Sequence, residues 1–315
     1  MHSDNLPLIV HTPPAQAERA MLLLPLQTTR IKPGDDLVLD LLEAVRRDEG
    51  LGVREQDILV LSSKAVATAE RRIIDLSTLT VTDEAKKLSE RCRRSPEFCQ
   101  AVLEETRRRN GIIHGTCPDL PCPSTSLGIN SDRAKWGAIL TELRPEGLSH
   151  GTILTANAGL DESNVEKGYA VGWPEDPVQS VGRLRRELED VLKSQRKQEK
   201  QKSSFDSFAS FDSSIAVILS DSCCAPRRSG VTAFALAVSG LDPLQSQMGK
   251  PDLFGKPLQI TTEAVADQLA TAANFLMGNA GQSIPAVIIR DHGLSLSDFE
   301  GWVPGIGPEE DLFGG

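Results

Sequence analysis

Two short runs set the terms for this chain. Ile58–Leu61 (ILVL) and Ile215–Leu219 (IAVIL) are apolar at every position, and they end in polar turns at Ser62-Ser63 and Ser220-Asp221-Ser222. Such runs are short for a helix and lack the alternation of a half-wet strand, so they predict buried strands. IPAVIIR at 284–290 predicts a last strand. Buried strands need cover. TTEAVADQLATAANFLMG predicts a helix, with Thr262 at the N-cap, an Ala-rich interior and Gly278 at the end.

Other elements follow from start and stop signals. MLLLPL reads as a strand. Leu37, Leu39, Leu41, Leu42 and Val45 predict a helix behind Asp35-Asp36, whose charges complement its dipole. TDEAKKLSERCRRSPEFCQAVLEETRRR predicts two helices, one starting at Thr82 and one capped by Ser95 with Pro96 at its first position. Pro177 opens a helix through Lys193, and TAFALAVSGL fits a strand or a small-residue helix. Residues 111–150 read as irregular. Residues 1–20 read as a mobile Pro-rich tail, 194–214 as a solvated linker, and the stretch after His292 as an acidic Gly/Pro-rich tail.

The net charge of -10 disfavours a nucleic-acid partner. No run approaches the ~20 apolar residues that span a bilayer, and the N-terminus lacks a signal-peptide pattern. The six cysteines, at 92, 99, 117, 122, 223 and 224, suit a reducing cytosol. A cytoplasmic protein without membrane or nucleic-acid partners is expected. No Gly-rich phosphate loop of the two common kinds is present.

The loop TANAGLDESNV is the first candidate for chemistry. Asn157, Gly159 and Asn164 are turn formers, and Asp161 is either one more turn residue or a hard oxygen ligand for Mg²⁺ or Mn²⁺. Asp221 and Ser222, at the end of an apolar strand, could serve the same ion. Glu263 and Asp267 share a helix face, readable as a dipole partner and an exposed face. His114, Cys117 and Cys122 have loose zinc spacing. Cys223-Cys224 lack a cue for a base, and His150 is read as packed or on the surface.

Several stretches in order resemble the coenzyme F420-0:L-glutamate ligase family. LPLQTTRIKPGDDL, DILVLSSKAVATAER, HGTILTANAGLDESNV, WPEDPVQSVGRLR and VILSDSCCAPRRSG carry the likeness, with DLFGKPLQITTEAVADQLATAANFLMGNAGQSIPAVIIR. It covers about residues 21–292 as one ligase domain, with insertions about 115–145 and 193–213. The resemblance implies an α+β fold with mixed or antiparallel sheets and packed helices, forming an intertwined homodimer. It implies ligation of L-glutamate to a carboxylate acceptor through an acyl phosphate. GTP would be the co-substrate, with two divalent ions, Mn²⁺ or Mg²⁺, and K⁺ as a further ion. Asp161, Asp221, Ser222 and Met277 match metal positions. Leu24, Pro25, Leu26, Gln27, Ser63, Lys64, Thr68 and Asn164 match nucleotide positions. So do Phe275, Leu276, Met277, Gly278, Asn279, Ala280, Gly281 and Gln282. Thr68 stands where the family has a Lys, and Cys223, Cys224, Ala225 and Arg227 replace Phe, Gly, Arg and an aromatic. The resemblance assigns no catalytic side chain. A metal-dependent phosphohydrolase and a non-catalytic nucleotide-binding paralogue are the rival readings.

Overall fold

The computed structural model describes residues 20–47, 52–117, 137–202, 215–225 and 228–312. The N-terminal tail, most of the 115–145 stretch and most of the 194–214 linker lie outside these residues.

A six-stranded mixed sheet forms the centre. It contains β1 (Leu22–Leu26), β2 (Ile58–Ser62), β8 (Ala216–Cys223), β9 (Thr232–Ser239), β12 (Ala286–Arg290) and β13 (Glu300–Trp302). Their order across the sheet is β1-β12-β2-β8-β9-β13. Strands β2 and β8 run parallel, with Ser62 opposite Ser220, and the other neighbours are antiparallel.

The apolar runs are explained by this placement. Ile58, Val60, Ala216, Ile218, Val287 and Ile289 face one core; Leu59, Leu61, Val217, Leu219 and Ile288 face the other. A period of two thus puts apolar side chains on both faces of the same strands. Full burial of each large aliphatic side chain stabilises by about 1.5–3 kcal/mol.

Helix α6 (Val265–Met277) covers the first face. Its small Ala266, Ala270 and Ala273 bring it close to the strands. Helices α1 (Leu37–Arg47) and α5 (Pro177–Lys202) join the core on the opposite face. Helix α2 (Ser63–Ala69) follows β2 without a break. Helices α3 (Asp83–Cys92) and α4 (Pro96–Arg108) pack together beside a sheet of β4 (Ile112–Cys117), β5 (Ala138–Leu143) and β6 (Ile153–Ala156). Strand β3 (Ile73–Asp75) pairs with β7 (Tyr169–Val171), and β10 (Gln245–Ser246) pairs with β11 (Thr262–Glu263).

The expected caps of α3 and α4 are present. Thr82 Oγ1 accepts from Ala85 N at 3.3 Å and Ser95 Oγ from Phe98 N at 3.1 Å. Asp36 Oδ1 accepts from Leu39 N at 3.1 Å at the start of α1.

Four expectations change. Helix α6 starts at Val265, not behind Thr262, because Thr262 and Glu263 pair with β10. The carbonyl of Pro243 accepts from Ala266 N at 3.1 Å, so backbone replaces a side-chain cap. Helix α5 continues past Lys193 to Lys202. Its apolar contacts end near Leu192, but the Lys, Gln, Glu and Arg that follow are strong helix formers. Residues 111–150 contain β4 and β5, whose pairing is broken by a bulge between Ile113 and Gly115. The stretch after His292 supplies β13, and Trp302 is buried at the sheet edge. TAFALAVSGL resolves to strand β9. No helix among the described residues is long and apolar enough to cross a membrane.

Candidate functional site

The site lies where the parallel strands β2 and β8 end. The pairing of Ser62 with Ser220 sends Ser63-Lys64 and Asp221-Ser222 out side by side. Ser63 Oγ donates to Asp221 Oδ1 at 3.1 Å. A cleft of about 1030 Å³ opens there. Its walls come from residues 28–33, the start of α2, the 163–166 turn, the end of β8 and the 277–285 loop.

The TANAGLDESNV loop delivers a second carboxylate. Asp161 exchanges both backbone bonds with Val171, at 2.9 Å each, which fixes its position. Ser163 N donates to Asp161 Oδ1 at 3.0 Å, and Ser163 Oγ bonds Oδ2. Asn157, Ala158 and Gly159 are all left-handed, with φ of 55°, 54° and 78°. Asn157 Oδ1 accepts from Ile139 N at 3.0 Å, which ties the loop to β5. Gly159 has a packing reason as well: a Cβ there would lie 2.5 Å from Trp173 Cε2. The indole fills that slot and donates from Nε1 to Asp221 Oδ2 at 2.6 Å. Trp302, Phe234 and the buried Arg109 hold the indole from its other sides.

Lys64 joins the two carboxylates. Its Nζ lies 2.5 Å from Asp161 Oδ2, and the charge of Asp221 also acts on it. Burial lowers the Lys64 pKa, but the two carboxylates outweigh this and leave it raised. Burial disfavours the charged form of Asp161 as well, which raises its pKa. There Lys64 and the bonds from Ser163 prevail and hold the carboxyl at about 2. Asp221 is the opposite case. Burial pushes its carboxyl above the usual range, against Lys64 and the bonds from Trp173, Ser222 and Ser63.

Asp161, Asp221 and Ser222 offer hard oxygens, the donor type for Mg²⁺ or Mn²⁺. Among the described residues no group of three or more His, Cys, Asp and Glu could hold an ion. The donors therefore suit an ion whose other positions are filled by phosphate oxygens and water, the usual habit of Mg²⁺. Met277 does not suit that role through its side chain. The thioether is buried against the sheet, and its sulfur is soft.

The cleft gathers Lys64, Thr68, Asn164, Asp221, Ser222, Met277, Gly278, Asn279, Ala280 and Gly281 from the sequence candidates, while Asp161 stays outside the lining and reaches it through Lys64. Others lie elsewhere. Leu24, Pro25 and Leu26 sit in β1 with Leu26 in the core, and Gln27 adjoins the lining segment. Ser63 is buried and acts through Asp221. Leu276, in the last turn of α6, is partly buried against the core, Phe275 is 86% exposed, and Gln282 Oε1 accepts from Ala280 N at 2.8 Å. Arg30, Lys32 and Arg71 also line the cleft, and Trp173 lies behind Asp221, all four outside the sequence candidates. The double arginine Arg71-Arg72 at the end of a helix was the one available signal.

The remaining candidates resolve as structural. Asp267 accepts from Ala235 N at 2.8 Å, where the β8–β9 register slips, so it fills a gap in the ladder rather than an exposed face. Glu263 accepts from Gln268 at 2.7 Å. His150 meets Glu310 at 2.8 Å on the surface. His114 pairs with Glu142, while Cys122 lies outside the described residues. Burial, with neighbouring charges, pushes the Cys223 thiol up to about 12, which keeps it from acting as a nucleophile.

The profile of the family F420-0:Gamma-glutamyl ligase matches residues 25–197 and 206–291. A coenzyme F420:L-glutamate ligase of Methanopyrus kandleri is 32% identical over 272 residues, 86% of this chain and 87% of the relative. One from Methanothermobacter thermautotrophicus is 32% identical, covering 90% and 94%. One from Archaeoglobus fulgidus is 32% identical, covering 85% of each chain.

Proposed function

The chain belongs to the F420-0:gamma-glutamyl ligase family, and from that premise we propose that it joins L-glutamate to a carboxylate acceptor with GTP as co-substrate. The observation that carries the reading is Lys64, which lines the cleft beside Asp221 and is paired with Asp161 behind it, among mostly basic charged lining residues in a chain of net charge -10. Four basic and two acidic side chains line the cleft, which suits a polyanion.

The reaction needs two transfers. An acceptor carboxylate oxygen attacks the γ-phosphorus, the bond to the bridging oxygen breaks, and the nucleoside diphosphate leaves. The α-amine of glutamate then attacks the acyl carbon, phosphate departs with the C–O electron pair, and the amine proton passes to solvent. Lys64 orients Asp161 and adds positive charge near the phosphates. Asp221, fixed by Ser63 and Trp173, and the Ser222 hydroxyl present oxygens at the same floor. A bound Mg²⁺ or Mn²⁺ supplies charge neutralisation on the phosphates. Asp161, Asp221 and Ser222 would hold it.

The homodimer implied by the resemblance has support in the β10–β11 hairpin. Leu253, Phe254 and Ile260 on its connecting loop are 101%, 95% and 88% exposed, and a second copy of the chain would cover them. Sedimentation equilibrium tests this: a monomer at micromolar concentration would refute it.

The test of function is mass spectrometry after incubation with glutamate, GTP, Mn²⁺ and carboxylate acceptors, beginning with the deazaflavin type. A product heavier by one glutamyl residue, formed only with glutamate and GTP, is expected. Phosphate release indifferent to glutamate would instead mark a hydrolase.

A further inference from the structure

Arg71 sits just past the end of α2 with φ of 62°, a left-handed conformation that costs any residue bearing Cβ about 1–2 kcal/mol. The fold gives no reason for an arginine at that position. Among the described residues its guanidinium meets no carboxylate, whereas its neighbour Arg72 is bound to Glu105 and Glu175 at 2.8 Å each. What Arg71 meets is Gly34. A Cβ on Gly34 would lie 2.1 Å from a terminal guanidinium nitrogen and 2.5 Å from Cζ. Gly34 N also donates to Ala69 O at 2.9 Å. The turn at Gly34 is thus fastened to the end of α2, and the exposed Arg71 guanidinium lies against the space left by its missing side chain.

The other cation at the floor is already engaged. Lys64 is paired with Asp161 and pulled by Asp221. Arg71 lines the same cleft together with Arg30 and Lys32, which also meet no carboxylate among the described residues. A guanidinium that meets no carboxylate suits a phosphate, because its fork matches two phosphate oxygens.

We propose that Arg71, whose guanidinium lies against Gly34, is the side chain that grips the nucleotide's phosphates in this cleft. The proposal rests on the nucleotide-dependent reading above.

Arg71→Gly tests it cleanly, since glycine is at ease at this φ. The full-length chain is titrated calorimetrically with inorganic tripolyphosphate and with GTP, both with Mn²⁺ present. Arg71→Gly is expected to melt at or above the wild-type temperature and to bind both probes about ten- to hundredfold more weakly. Arg71→Lys, which keeps charge but loses the fork, should fall between. In the ligation assay the KM for GTP should rise while that for glutamate holds. Unchanged affinity in Arg71→Gly overturns the proposal and leaves the nucleotide reading standing if wild type binds GTP. A lower melting temperature with weaker binding marks Arg71 as a structural brace and also overturns it. Wild type that binds neither probe removes both the proposal and the nucleotide reading.

Discussion

Gly159→Ala should damage the protein through a residue it does not replace. The added Cβ would sit 2.5 Å from Cε2 and 2.6 Å from Nε1 of Trp173, against ordinary carbon contacts of about 3.5–4.0 Å. The indole has nowhere to retreat. Phe234 and Trp302 lie at ring distances of 6.4 and 6.3 Å, and the Arg109 guanidinium at 5.0 Å. Overpacking of this kind costs about 1–3 kcal/mol. The φ of 78° adds about 1–2 kcal/mol for a residue with Cβ. Together the loss is roughly 2–5 kcal/mol, or roughly 3–8 °C in Tm for a chain of this size. The displaced Nε1 also abandons Asp221, so turnover should fall beyond what the lost stability explains. Urea denaturation and steady-state kinetics measure both effects, and a cycle with Trp173→Phe isolates the cause. Without the indole nitrogen the alanine should cost only about 1–2 kcal/mol, the strain in φ. A wild-type Tm in Gly159→Ala, or an equal penalty in both backgrounds, would falsify the account.

Three further expectations can be measured on single variants. Asp161→Asn should leave the fold intact and abolish ligation; wild-type turnover at matched Mn²⁺ would exclude Asp161 from the site. Glu105 is buried, which raises its carboxyl, but Arg108, Arg109 and Arg72 outweigh that and lower it below 4.5. Its stabilising contribution is therefore complete above about pH 4.5 and lost as pH falls below it. Glu105→Gln should cost about 3–5 kcal/mol at pH 7 by leaving Arg109 buried without its counter-charge, and should flatten acid unfolding. A steep acid limb retained in that variant would show that other groups set it. Trp302→Ala should cost about 3–5 kcal/mol in urea, because the ring is buried against Trp173; a loss under about 1 kcal/mol would mean that β13 is only loosely attached.

The two-faced strands could be read in the sequence because burial on both sides removes every polar residue from ILVL and AVIL. Caps at Thr82 and Ser95 could be read because a hydroxyl three residues ahead of its donor is a local signal. The start of α6 could not, since its partner is the carbonyl of Pro243, distant in sequence. The end of α5 lies beyond the reach of apolar period, which stops at Leu192 while intrinsic helix propensity continues to Lys202. At the site, Asp161 and Asp221 announced themselves by lying on a turn and at a strand end. Trp173 did not, because an indole bonded to a carboxylate 48 residues away leaves no pattern in either segment. Arg71 and Arg72 are adjacent and chemically alike, yet one is locked between glutamates and the other opens onto the cleft. Only packing separates them.

The order of the central sheet also bears on how the chain is made. Strand β1 pairs only with β12 among the described strands, Leu22 lying opposite Arg290, and β12 is what joins β1 to β2. At about 5–20 residues per second, synthesis between these two strands takes on the order of tens of seconds. Throughout that time β1 has no partner and β2 presents a bare apolar edge, an invitation to wrong pairing. Helix α6, which shields one face, also emerges late. A ribosome stalled before residue 286 would therefore leave a chain with its cleft-lining segments complete and its sheet unable to close, and such chains should depend on chaperones holding β1 and β2 apart.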